Sequence, residues 1–126
     1  HIRQVATGKN HSLVLTLNGD VYAFGASSYG QCGHNNTSTQ ETPKKISALD
    51  GVNIRQIACG DNHSVFLTDN GKVLTCGNSS YGQTSHSKNE VIPIPVIGVS
   101  ALTIVKVSCG SYHTAMISDN GNCYMT

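Results

Sequence analysis

Three stretches of this chain repeat one another. The first reads Val5-Ala6-Thr7-Gly8, two residues, then His11-Ser12. The second reads Ile57-Ala58-Cys59-Gly60, two residues, then His63-Ser64, and the third Val107-Ser108-Cys109-Gly110, two residues, then His113-Thr114. Gly8 to Gly60 is 52 residues and Gly60 to Gly110 is 50, and the histidines keep the same offsets. So do the pairs Asn18-Gly19, Asn70-Gly71 and Asn120-Gly121. A period near 50 marks a supersecondary unit that cannot bury its apolar surface alone and must stack on copies of itself, as in a propeller or a solenoid.

Within one unit the strands are legible. Residues 54–59 and 63–68 are apolar and rich in β-branched side chains, and residues 72–76 follow after Asn70-Gly71. Asn-Gly between two such runs predicts a tight hairpin, with a type I′ turn that needs positive φ at both central residues. Residues 43–47 supply a fourth strand, and Pro43 restricts it to an edge or to a start at the proline. The unit reads as an edge strand followed by three antiparallel strands, the size of one propeller blade. Blades are expected at about 2–25 (lacking its first strand), 42–77 and 92–126, with 1–126 forming one partial propeller.

Composition agrees with an all-β chain. Charged residues are 12% of the total, there are 13 glycines, and tryptophan is absent. The usual charged share is roughly 25%. Leu13-Val14-Leu15 and Val21-Tyr22-Ala23-Phe24 are unbroken apolar runs rather than alternating ones. A sheet with one wet face alternates, so unbroken runs imply burial on both faces, as for a blade between two neighbours.

The full pattern, G-x-x-H-S/T, an apolar strand, N-G, an apolar strand ending in Gly, then Y-G-Q, resembles the regulator of chromosome condensation repeat. Gly8, His11, Asn18, Gly19, Gly25, Tyr29, Gly30, Gln31 and Gly33 match it in the first unit. Gly60, His63, Asn70, Gly71, Gly77, Tyr81, Gly82 and Gln83 match in the second, and Gly110, His113, Asn120 and Gly121 in the third. The Gly-Gly doublet of kelch units and the Trp-Asp signature of another propeller class are both missing. Thr84-Ser85 departs from the Cys32-Gly33 pair, so the second turn lacks its last glycine. The resemblance implies an all-β fold: a β-propeller segment of about three four-stranded antiparallel blades, part of a larger, seven-bladed ring. On that reading the chain is an excised section of a longer protein. Self-association of open arcs is the other way to cover its end blades.

Charge and cysteine usage narrow the function classes. The net charge is +1, and Lys44-Lys45 is the only basic pair. Nucleic-acid surfaces gather positive charge to displace counterions, so this segment is not expected to bind DNA or RNA directly, and docking to chromatin is disfavoured. No apolar run is long enough to span a membrane as a helix. The five cysteines, Cys32, Cys59, Cys76, Cys109 and Cys123, are odd in number and lack short paired spacings. That argues against a disulfide framework and for a reducing, intracellular location, cytoplasmic or nuclear. The sequons at Asn10, Asn35, Asn36, Asn62 and Asn78 read as incidental in an Asn- and Ser-rich chain.

Cys59 and His63, like Cys109 and His113, share a spacing that could suggest half a zinc site or a thiolate–imidazole pair. Thr7 in the first unit breaks that pattern. A histidine opening a buried strand instead ties its ring to groups in the adjoining turn. Removing His63 should then cost on the order of 1–3 kcal/mol. Asp20, Asp61, Asp69 and Asp119 read as turn residues. No phosphate loop and no nucleophile elbow occurs, so no catalytic residue, metal ligand or cofactor is assigned and the segment is not expected to be an enzyme. The loops 26–41 and 78–91 differ in sequence after their Tyr-Gly-Gln stretch, and His34, Asn36, Glu41, His86, Lys88 and Glu90 are the candidate partner-binding positions.

The resulting expectation is a protein-interaction scaffold within a larger protein. The resemblance implies small GTPases or ubiquitin-pathway proteins as partners. Its alternatives are a guanine-nucleotide exchange factor for a Ran-like GTPase and a recruiting domain of a ubiquitin ligase. A light-sensing role of the plant photoreceptor type, which resembles one built on tryptophan clusters, is disfavoured because this segment has no tryptophan.

Overall fold

The computed structural model describes residues 1–126, and eleven strands account for its regular structure apart from two single-turn 3₁₀ segments, Ser47–Leu49 and Ile97–Val99. The strands are β1 (Ile2–Thr7), β2 (His11–Thr16), β3 (Val21–Gly25), β4 (Gln40–Lys45), β5 (Ile54–Cys59), β6 (His63–Thr68), β7 (Val73–Gly77), β8 (Glu90–Pro95), β9 (Ile104–Cys109), β10 (Thr114–Ser118) and β11 (Cys123–Met125). They form three antiparallel sheets in simple order, β1-β2-β3-β4, β5-β6-β7-β8 and β9-β10-β11. The hairpin expected between 63–68 and 72–76 is present as β6 and β7, in register from Leu67 opposite Val73 to His63 opposite Gly77.

The blade limits differ from the sequence-based expectation. The proline-bearing strand closes the preceding sheet instead of opening the next one. Tyr22 lies opposite Lys45 and Gly25 opposite Gln40, and the second sheet repeats this with Leu74 opposite Pro95 and Gly77 opposite Glu90. The blades are therefore 2–45, 54–95 and 104–125, so the first has all four strands and the third has three. The loop after β3 is long enough to reverse the chain beside β3. The shorter link after β4 carries it across to start the next sheet. Pro43, Pro93 and Pro95 accordingly sit on outer edge strands, where a missing N–H costs no ladder bond.

The Asn-Gly hairpins also differ. Gly19, Gly71 and Gly121 have φ of 84–85°, but Asn18, Asn70 and Asn120 are not in the positive region. The Gly71 N–H donates to Thr68 O at 3.1 Å and the Thr68 N–H to Lys72 O at 2.8 Å. This is a three-residue loop, a type I turn closed by a left-handed glycine that forms a bulge, rather than a two-residue I′ turn. Thr68 Oγ1 steadies it by accepting from the Lys72 N–H at 2.9 Å.

Alternate residues of one strand feed two cores. Phe66 enters the cluster of Leu13, Leu15, Ile54 and Ile57 between the first two sheets. Its neighbours Val65 and Leu67 enter the cluster of Ile104, Val107 and Met116 between the second and third. Every residue of β6 is buried, whereas β2 alternates buried and half-buried. Burial on both faces thus holds for β6 in the middle blade, whereas the runs 13–15 and 21–24 of the first blade, which packs against one neighbour here, alternate buried and half-buried residues. The connections add to the seals: Ile46 and Leu49 close the first core, and Val96 and Val99 the second.

Candidate functional site: the interblade clasps and the two rims

The polar residues of the repeat converge between blades. His11 Nε2 lies 3.0 Å from Ser64 Oγ, and the Ser64 hydroxyl donates to Gln31 O at 2.6 Å. One repeat further on, His63 Nε2 lies 2.9 Å from Thr114 Oγ1, which donates to Gln83 O at 2.7 Å. A hydroxyl has one proton, so the imidazole must be the donor in each chain, with its hydrogen on Nε2. Histidine and loop carbonyl come from one blade and the hydroxyl from the next. Each clasp therefore joins two sheets that share no ladder bonds.

The motif glycines make room for the clasp. A Cβ on Gly60 would overlap the His63 ring and lie 2.8 Å from Gly110 O, and one on Gly8 would overlap the His11 ring. Burial lowers the pKa of both imidazoles from 6.5 to about 4. For His63 the neighbouring His11 and His113 rings add to this and Asp61 opposes it. Both rings are neutral at pH 7, and Nδ1 of each has no partner. His113 occupies the same turn, its carbonyl accepting from the Gly110 N–H at 3.0 Å, but its ring is exposed.

A second stitch runs along the inner strands. The Gln4 side chain donates from Nε2 to Ile57 O and accepts the Ile57 N–H on Oε1, both at 2.9 Å. Gln56 Oε1 accepts the Val107 N–H at 2.9 Å. The carboxamide stands in for a strand neighbour and satisfies backbone groups that an inner edge would otherwise leave unpaired.

The Tyr-Gly-Gln loops are structural over their first half. Ser27, Gln31, Cys32 and Gly33 are buried, and Gln31 O also accepts from Cys76 Sγ at 3.6 Å. Ser85 takes over the left-handed place of Gly33, at φ 64° against 74°, so the turn keeps its shape without its glycine. Of the candidate binding positions, His34 and His86 are tied down, with Nε2 3.1 Å from Ala23 O and 3.2 Å from Ile94 O. Asn36 shapes its own loop through Ser38, and Glu90 is half-buried in β8. Glu41 and Lys88 are exposed and free of side-chain hydrogen bonds to other residues. The six positions are therefore spread over two blades and form no single cluster.

Two depressions flank the inner strands. At the clasp end, Thr7, Cys59, Cys109 and the three motif glycines line one of about 420 Å³. Burial raises the Cys109 thiol to about 12 and the Cys59 thiol further, so both stay protonated and are poor nucleophiles or metal ligands. At the opposite end, Arg3, Gln4, Arg55, Gln56, Val105 and Lys106 line a depression of about 300 Å³. Sequence reasoning did not single these residues out, although Arg3 and Arg55 recur at the 52-residue offset of the glycines.

Stacked four-stranded antiparallel sheets, clasped through histidine, hydroxyl and loop carbonyl, are the blades of a β-propeller. Two repeat models, each described as the regulator of chromosome condensation (RCC1) repeat, match the chain, one over residues 18–67 and 70–117 and the other over 2–31 and 54–83. The chain belongs to the RCC1 repeat family. It is 38% identical over 96 residues to the human E3 ubiquitin-protein ligase HERC2, covering 75% of this chain and 2% of that protein. It is 43% identical over 88 residues to the human RCC1-like G exchanging factor-like protein, covering 66% of this chain and 19% of that one. The crystal structure of human WBSCR16 matches with a TM-score of 0.92 at 28% identity, over 99% of this chain and 32% of the other. The chain thus spans a small part of these relatives.

Proposed function

We propose that this propeller section is a protein-binding scaffold within a longer chain and carries no catalysis of its own. The observation behind this reading is the direction in which the repeat's polar groups point. His11, His63, Gln31 and Gln83 are buried, and they or their carbonyls join blade to blade. What remains for a partner is surface: loop tips at one rim and an open depression at the other. Rigid sheets presenting variable loops are a common way to build recognition.

Two more specific readings rest on the relatives. Similarity to HERC2 favours a recruiting domain of a ubiquitin-family ligase, with ubiquitin-pathway proteins among its partners. Similarity to the RCC1-like G exchanging factor-like protein favours nucleotide exchange on a small GTPase by the parent protein. The buried, protonated thiols suit a reducing, intracellular setting.

The test uses the full-length protein. Nucleotide release is measured from a panel of small GTPases, and partner binding is measured for wild type and for variants at Glu41 and Lys88. Binding that the Glu41 and Lys88 variants weaken, without faster nucleotide release, is the expected result. Accelerated release from one GTPase would replace the scaffold reading with the exchange reading.

A further inference from the structure

Each inner strand is interrupted at the same place. The register shifts between Ile2 and Gln4 in β1, between Ile54 and Gln56 in β5, and between Ile104 and Lys106 opposite Ser118 and Ile117 in β9. The extra residues are Arg3, Arg55 and Val105. A bulge leaves its residue unpaired and re-aims the side chain, and bulges are over-represented beside functional sites. Arg55 is exposed while Ile54 and Ile57 on either side of it are 1% exposed. That contrast holds in the middle blade, which has a neighbour on both sides.

The bulge residues Arg3 and Arg55, with Lys106 next to the third bulge and in register opposite Ile117, bring three cations to one depression. None of them lies within ion-pair distance of a carboxylate, since the two ion pairs of the chain both belong to Lys45. Gln4 and Gln56, which also line it, are occupied by backbone groups of the next blade, so they form a fixed floor. The carboxylates at this end are Asp69 and Asp119 on the hairpin tips and Asp20 and Asp50, both held by Lys45. The result is an open, rigid, unneutralised basic hollow on a chain whose net charge is only +1.

We propose that this hollow binds an acidic peptide segment of a protein partner, with Arg3 and Arg55 receiving side-chain carboxylates and Lys106 a third. The planar guanidinium offers a carboxylate two parallel N–H donors, and two arginines on adjoining strands fit carboxylates spaced along one extended chain. A nucleic acid fits less well. Three cations release few counterions, and the chain's net charge is only +1. This inference rests on the scaffold reading and assigns that reading a surface and a partner chemistry.

The experiment uses the full-length protein and a fluorescein-labelled peptide of about ten alternating aspartates and glutamates, followed by anisotropy. The comparison variants are Arg3→Gln/Arg55→Gln/Lys106→Gln and, as a control with equal charge loss elsewhere, Lys9→Gln/Lys44→Gln/Lys72→Gln. All six side chains are exposed, and a melting curve checks that each variant is folded. The expected result is a loss of about tenfold or more in peptide affinity for the first variant and less than about twofold for the second, with binding weakened by added salt. No binding to wild type, or equal losses in the two variants, overturns the proposal. Tighter binding of a single-stranded DNA oligomer through the same three residues also overturns it. If the peptide fails to bind while variants at Glu41 and Lys88 still weaken partner binding, this inference falls and the scaffold reading stands.

Discussion

Replacing His63 with alanine tests the clasp directly. The side chain is fully buried, with its Nε2–H 2.9 Å from Thr114 Oγ1. Losing that hydrogen bond costs about 1 kcal/mol. Losing the ring's packing and leaving a cavity beside Gly60 costs about 2 kcal/mol more, since burial here gives little freedom to collapse. Removing the unpartnered Nδ1 returns up to about 1 kcal/mol. A net loss of about 2–3 kcal/mol is expected, read from urea unfolding of the full-length protein followed by circular dichroism. Thr114→Val removes the same bond from the other blade, so the double variant should show a coupling of about 1 kcal/mol. If His63→Ala unfolds within about 0.5 kcal/mol of wild type, or if the coupling is nil, the clasp does not hold the blades together.

Three further outcomes follow from the same structure. The unfolded chain takes up protons on His11 and His63 near pH 6.5, whereas the folded one resists until about pH 4. Stability should therefore fall as pH drops across that window, by on the order of 3 kcal/mol per histidine, and His11→Gln/His63→Gln should flatten the slope of urea midpoints against pH. Ser85→Gly relieves a left-handed serine at φ 64° on an exposed turn and should stabilise by about 0.5–1 kcal/mol; a loss in thermal unfolding would contradict the strain. Cys32 and Cys76 are fully buried with raised thiol pKa values, so alkylation at pH 8 followed by mass spectrometry should modify them only on unfolding.

What the sequence revealed depended on how local the cause was. The Gly-x-x-His turn, the hairpin β6–β7 and the double-sided burial of β6 are each written in a few adjacent residues. The blade limits were not, because Pro43 states that its strand is an edge but not which sheet owns that edge. Ownership is decided by the length of the loop after β3, which lets β4 return beside it. The turn type is not fixed by Asn-Gly, which suits both a two-residue I′ turn and the last two positions of a three-residue loop. One residue of spacing between Thr68 and Lys72 separates them.

The basic hollow was hidden for a related reason. Arg3 and Arg55 lie 52 residues apart, so no window of sequence shows them as a cluster. A repeat fold converts an offset equal to its period into adjacency. Any residue type that recurs at that offset on the inner strand meets its copy across one blade step. Gln4 and Gln56 share the same offset, and there each amide bonds the backbone of the next blade at 2.9 Å, at Ile57 and Val107, instead of leaving an open charge. Two neighbouring positions of one strand thus divide between holding the sheets together and facing outward. The bulge creates the division, because it turns Arg55 away from the ladder while leaving Gln56 in register opposite Leu67. In this fold a charged residue at a bulge and recurring with the period is a stronger pointer to a surface site than the same residue in a long loop. The loop histidines His34 and His86, bound to backbone carbonyls, illustrate how readily loop polarity is absorbed by the scaffold itself.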